Sequence, residues 1–201
     1  HWRYLERTDF DWWIRRVAAG MACFDLLRID HFRGLAAYWA VPYGNRTAIH
    51  GAWIKAPGRR LLETLQKRLK ELPIIAEDLG VITPDVEALR DDFSLPGMKI
   101  LQFAFDSGES NHFLPHTYPR HCVVYTGTHD NDTFAGWYQH ARPHDRAFAR
   151  DYLDAGPATI AWQGIRAAWS SVACLALAPL QDLLGLDSRA RMNRPGTSSG
   201  N

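Results

Sequence analysis

The sequence predicts an α/β protein built on parallel strands, and two observations carry that expectation. Short apolar runs, most of them too short for helices, alternate with amphipathic helical stretches along the whole chain. Several of those runs also close on an acidic residue, at the edge where parallel sheets and barrels keep their chemistry. The composition permits such a fold. Of 201 residues 46% are hydrophobic and 22% charged, enough to bury the core of one ordinary domain or two small ones.

The elements follow in order. In residues 8–22, Phe10, Trp13, Ile14, Val17, Ala18 and Met21 form one helical stripe, with Thr8 or Asp9 as cap. Residues 24–29 read as a strand ending in Asp30. Residues 34–58 are rich in Gly, Pro and aromatics and read as a long loop. Leu61, Leu62, Leu65, Leu69 and Leu72 mark a second helix, and residues 73–76 a second strand ending in Glu77. Thr83 and Pro84 open a helix that runs to about Arg90. Residues 98–105 read as a third strand ending in Asp106. Residues 122–126 read as a fourth, running into Thr128, His129 and Asp130. Helices are expected at about 145–153 and 159–171, and a fifth strand at 172–177. Residues 187–201, rich in Ser, Gly, Arg and Pro, have the composition of a flexible linker.

Several function classes drop out. A net charge of +1 argues against a nucleic-acid binder, and no run approaches the roughly 18 apolar residues of a membrane span. No strand is followed by a glycine-rich phosphate turn, so a dinucleotide fold has no support. The three cysteines, Cys23, Cys122 and Cys174, are far apart in apolar surroundings. They read as buried thiols in a reducing compartment, which implies a cytoplasmic location.

Asp30, Glu77 and Asp130 each follow a short apolar run, and together they suit glycoside chemistry. A retaining mechanism needs a carboxylate nucleophile and a carboxylic acid roughly 5 to 5.5 Å apart, and a third acid can stabilise the transition state. Taken singly, each acid could equally be a helix cap or a solvated loop residue. Arg28, two residues before Asp30, shares its strand face and would keep it ionised, or be its ordinary ion-pair partner. His129 could donate to a sugar hydroxyl or serve structurally. His31, His129, Asp130 and Asp132 leave a metal hydrolase open, against which stands the absence of a helical His pair or a Cys–His cluster. Trp39, Tyr43, Trp53 and Trp137 fall in or near expected loops, where rings stack on sugars or pack in the core. Phe103 and Phe105 would share one strand face, facing core or mouth.

The runs themselves are RIDHFRG (28–34) with AYW (37–39), IIAEDLGVITP (74–84), GMKILQFAFD (97–106), VVYTGTHDNDT (123–133), PLQDLLGL (179–186) and RMNRPG (191–196). In this order and spacing the chain closely resembles the 4-alpha-glucanotransferase family, the amylomaltases or disproportionating enzymes. The resemblance implies a (β/α)8 TIM barrel and a retaining double displacement on α-1,4-glucans such as maltooligosaccharides, starch or glycogen chains, with no cofactor and no metal. It implies Asp30 as nucleophile, Glu77 as general acid/base and Asp130 as transition-state stabiliser. Arg28, His129, Asp106 and Asn193 would bind sugar, and the Ser/Gly/Pro tail would be a loop at the site mouth.

A hydrolase with water as acceptor and an inactive glucan-binding fragment are the alternatives. Five strands cannot close an eight-stranded barrel. The chain, which starts at His1 and not Met, is therefore expected to be about strands four to eight, with strands one to three before it and a final segment after it. The isolated 201-residue segment is expected to be unstable or aggregated, and inactive.

Overall fold

The computed structural model describes residues 1–197, and the chain forms two compact units, His1–Gly97 and Met98–Asn201. The expected α/β class holds, with helices around parallel strand pairs.

The first unit opens with helices α1 (Trp2–Arg7) and α2 (Asp11–Met21). The single helix expected over 8–22 is therefore shorter at its start. Asp9 and Phe10 take left-handed conformations, and the Phe10 N–H returns to the Leu5 carbonyl at 2.7 Å, which closes α1. Phe10 is the N-cap of α2, and neither Thr8 nor Asp9 caps it. The apolar stripe is as expected: Phe10, Ile14 and Val17 are buried.

Strand β1 (Leu27–Ile29) is shorter than expected, because Phe24 and Leu26 stay exposed. After a 3-10 turn at Phe32–Leu35, strands β2 (Ala37–Ala40) and β3 (Ala52–Lys55) form an antiparallel hairpin with Trp39 opposite Trp53. The expected loop over 34–58 is corrected to this ribbon. Every residue of β3 is exposed, so no face of it shows apolar alternation in the sequence.

Helix α3 (Gly58–Leu69) presents Leu61, Leu62 and Leu65 to the core, and leads to strand β4 (Ile74–Ala76). Strands β1 and β4 run parallel, with Leu27 opposite Ile74, Arg28 opposite Ile75 and Ile29 opposite Ala76. Helix α4 (Pro84–Asp92) completes the unit. Thr83 is its N-cap residue, with no side-chain cap bond. The core gathers Phe10 and Val17 from the first helices, Phe32 from the turn, the α3 leucines, Ile74 and Val86.

In the second unit strands β5 (Gly97–Ile100), β6 (Cys122–Tyr125) and β7 (Leu175–Leu177) form a sheet in the order β5-β6-β7. Strands β6 and β7 are parallel, with Val124 opposite Ala176. The strand expected over 98–105 stops at Ile100 and continues as a 3-10 turn, Leu101–Phe105. Asp106 therefore follows a turn and not a strand. Phe103 and Phe105 do not share a face: Phe105 is buried and Phe103 exposed.

Helices α5 (Phe134–His140), α6 (Pro143–Leu153) and α7 (Ile160–Trp169) pack together with the 3-10 turn around Leu101, Phe105 and Phe134. Helix α5, with seven residues, is too short to show an apolar stripe in the sequence. It places Trp137 against Phe105 and Phe134, so that ring belongs to packing and not to a loop. A short helix α8 (Leu180–Leu183) and a 3-10 turn at Ser188–Ala190 follow β7.

The composition-based linker over 187–201 is also corrected as far as residue 197. Asp187 caps the turn through the Arg189 N–H, and Arg191 and Asn193 hydrogen-bond elsewhere in the unit. The rest of that segment, 198–201, lies outside the described residues.

Among the described residues the three cysteines form no disulfide, and of the three only Cys122 is buried. Cys23 lies in the turn after α2 and Cys174 just before β7, both exposed, so apolar neighbours in sequence did not imply burial. Among the described residues no helix is long and apolar enough to cross a membrane.

Candidate active site

In the first unit the parallel register carries Asp30 and Glu77 off the C-terminal ends of neighbouring strands. The Glu77 N–H donates to the Ile29 carbonyl at 3.0 Å, one step beyond the Ile29–Ala76 pair. Asp30 stays largely exposed, and Arg28 reaches forward to it, Nη2 to Oδ1 at 3.3 Å. The expected Arg28–Asp30 pair is thus formed.

Glu77 is held by backbone. His31 takes a left-handed conformation, φ 50 and ψ 52, which turns its N–H onto Glu77 Oε2 at 2.6 Å. The next N–H, of Phe32, bonds the Glu77 carbonyl at 3.0 Å. Burial raises the Glu77 pKa, and the nearby Asp30 charge raises it further. The His31 N–H opposes both because it favours the ionised form. A carboxyl shifted upward beside a solvated carboxylate is the division of labour that an acid/base and a nucleophile require.

Two arginines brace this region. Arg90 is paired with Asp78, next to Glu77, at 2.5 Å. Arg33 donates to the Val81 carbonyl in the loop beyond Glu77, and its guanidinium stacks 4.4 Å from the centre of the Trp53 ring. Arg33 therefore ties the turn after Asp30 to the loop after Glu77 and to the hairpin. Sequence reading assigned it no role, although it stands in RIDHFRG. Trp39 and Trp53 meet edge to face at 5.6 Å, and both are exposed, as is Tyr43.

In the second unit Asp130 lies in the loop between β6 and α5. Asn193 donates to its Oδ1 at 2.6 Å, and His129 Nε2 lies 3.4 Å from its Oδ2. Arg191 bonds the Asp130 carbonyl at 3.1 Å and, through Nε, the Asn193 carbonyl at the same distance. The structure thus brings together three residues the sequence singled out, His129, Asp130 and Asn193. Asp106 does not join them by hydrogen bonding. Its carboxylate accepts from Ser107 at 2.9 Å and Asn111 at 3.0 Å, inside its own turn.

The loop around Asp130 has further supports that sequence reading missed. Asn131 Oδ1 accepts both the N–H and the hydroxyl of Thr128, each at 2.8 Å. Asp132 accepts from the Ser188 hydroxyl at 2.7 Å, and its carbonyl accepts from Gln102 at 2.7 Å. Asp182 is fully buried, and its pKa is pushed up by that burial. The available signal was that Asp132, Asp182 and Arg191 all sit inside the quoted runs. Nothing in one sequence says which members of a run touch which. Among the described residues no group of three or more His, Cys, Asp or Glu side chains is arranged to hold a metal ion.

These features define a class: parallel α/β chains that present carboxylates just beyond strand ends, one of them held at a raised pKa. The particular family follows from comparison, and the chain belongs to the 4-alpha-glucanotransferase family, whose model matches residues 1–201. A 4-alpha-glucanotransferase of Thermus thermophilus is 54% identical over 208 residues, covering 100% of this chain and 42% of that protein. One of Synechocystis is also 54% identical, with 100% and 40% covered. Among solved structures, an amylomaltase from Streptococcus agalactiae in complex with acarbose superposes with a TM-score of 0.95 at 38% identity. It covers 100% of this chain and 41% of its own. The chain therefore spans about two fifths of the length of these relatives.

Proposed function

We propose that the protein containing this chain transfers segments of α-1,4-glucan to the 4-hydroxyl of another glucan by a retaining double displacement, and that the chain supplies about strands four to eight of a (β/α)8 barrel. The observation that carries the reading is the pair at the ends of β1 and β4. It sets an exposed carboxylate beside Arg28 next to a carboxyl of raised pKa. The match to named glucanotransferases over every residue, and to an amylomaltase seen with acarbose, supports the substrate class.

In the first step protonated Glu77 gives its proton to the glycosidic oxygen while an Asp30 oxygen attacks the anomeric carbon. The C–O bond to the leaving glucan breaks, and a glycosyl ester on Asp30 forms. Esterification removes the Asp30 charge that had helped raise the Glu77 pKa, so Glu77 ionises more readily. In the second step the Glu77 carboxylate takes the proton of the acceptor 4-hydroxyl. The acceptor oxygen attacks the anomeric carbon and Asp30 leaves, with two inversions giving retention.

Asp130, oriented by Asn193, stabilises the positive charge that develops on the sugar. Arg28, His129, Asp106 and Asn193 contact sugar hydroxyls. The chemistry calls on no cofactor, and the setting proposed for it is the cytoplasm.

The test is product analysis of the full-length protein on maltotriose. Longer oligosaccharides together with glucose mean transfer. Glucose and shortened chains alone mean hydrolysis and overturn the proposal.

A further inference from the structure

We propose that Asp182, from the PLQDLLGL run, is the positioning residue that fixes the loop presenting Asp130; the inference rests on the reading of Asp130 given above. Asp182 is fully buried in α8 and touches no expected substrate contact. Each of its oxygens is used. Oδ2 accepts the Thr126 hydroxyl at 2.6 Å, and Oδ1 accepts the Phe134 N–H at 2.7 Å.

Those two donors bracket one segment. Thr126 is the first residue after β6 and is itself fully buried, and its N–H bonds the Leu177 carbonyl at 3.2 Å. Phe134 is the first residue of α5, with its ring in the core. Between them run residues 127–133, which carry His129 and Asp130. One side chain therefore clamps both feet of the loop, from an element that comes later in the chain.

The rest of the loop is stiff, so fixing its feet fixes its tip. Thr128 is bonded to Asn131, Thr133 N–H to Asp132 Oδ1 at 2.8 Å, and the Asp132 carbonyl to Gln102. At the clamp no solvent reaches Asp182 to replace a lost partner. Cutting either bond therefore leaves a buried polar atom unsatisfied and favours an opened loop. Because Asp130 acts on charge that develops only in the transition state, a small displacement lowers kcat and leaves KM nearly unchanged.

Full-length protein carrying Thr126→Val, Asp182→Asn, both, or Thr126→Ser is assayed for maltotriose disproportionation, with kcat expressed per folded molecule. Thr126→Val is near-isosteric and keeps the Phe134 bond, so it carries the test even where Asp182→Asn fails to fold. We expect Thr126→Val to lower kcat by roughly 10- to 100-fold with little change in KM. Thr126→Ser restores activity, and the double variant is no worse than its worse single change, because both cut the same clamp. Wild-type kcat per folded molecule in Thr126→Val, or losses that multiply in the double variant, overturns the inference. Absence of transfer by the unmutated protein instead overturns the underlying functional reading.

Discussion

His31 offers a way to shift the pKa of Glu77, the proposed acid/base, without substituting it. Its left-handed backbone points an N–H at Glu77 from 2.6 Å. That conformation costs a non-glycine residue about 1–2 kcal/mol, and β-branched side chains tolerate it worst. His31→Val is therefore expected to leave it and withdraw the N–H, whereas His31→Gly keeps the turn without strain. A hydrogen bond to a charged group contributes about 1.5–3 kcal/mol, with the lower end fitting a half-buried carboxylate.

The sign follows from the causes acting on Glu77. Burial and the Asp30 charge raise its pKa and the Leu79 N–H lowers it, and all three remain in both variants. The smaller lowering by the His31 charge is lost in both, while the His31 N–H, the larger lowering cause, is lost only in the valine variant. The Glu77 pKa should rise further. Since the proposed first step needs Glu77 protonated, the alkaline limb of kcat/KM for maltotriose disproportionation should move to higher pH in His31→Val and move less in His31→Gly, which keeps the N–H. Urea melts should show the valine variant losing about 1–2 kcal/mol and the glycine variant less. An unmoved or lowered limb in the valine variant, or an equal shift in both, would show that the His31 N–H does not control Glu77.

Three other outcomes are expected. Glu77→Gln should lose transfer activity by about 10²- to 10⁴-fold, measured as product formation from maltotriose. Its stability should not suffer at neutral pH. A carboxyl whose folded pKa is raised stabilises the native state below its unfolded pKa and loses that contribution as pH rises through the folded value. The glutamine is therefore equal or more stable by thermal melting at pH 7, and a clearly lower melting temperature would contradict the pKa direction. Asn193→Ala removes the donor on Asp130 Oδ1 and should lower kcat about tenfold or more with the fold intact by circular dichroism. Gly58→Ala would set a methyl group against the Leu35 carbonyl at the start of α3. We expect it to destabilise by about 1–3 kcal/mol in urea, the opposite of the gain such a change brings to an open helix position.

Where a segment buries one stripe or one apolar run, the sequence revealed it. The leucines of α3, the stripe of α2 and the run at β4 are cases, because burial imposes the period that reading detects. The β2–β3 hairpin escaped for the converse reason. Trp39, Trp53 and Ile54 are exposed, so no alternation between faces exists to be read.

Asp106 was misplaced because a 3-10 turn and a strand share the same apolar composition over so few residues. The candidate acids were legible because they stand just after short apolar runs. What supports them was not. The His31 N–H, the Arg33 stack on Trp53 and the Asp182 clamp depend on a left-handed residue or on partners from distant segments, and neither leaves a local pattern.

The proposed double displacement requires that Asp30 become covalently bonded to sugar. In full-length Glu77→Gln protein, an α-glucosyl fluoride supplies a leaving group that needs no proton, while the second step lacks its base. The glycosyl ester should then accumulate. Mass spectrometry of the digested protein should find one hexose residue added to the peptide containing Asp30, and no addition in an Asp30→Ala control. Fluoride release with the hexose on another residue, or with no covalent adduct at all, would show that Asp30 is not the nucleophile.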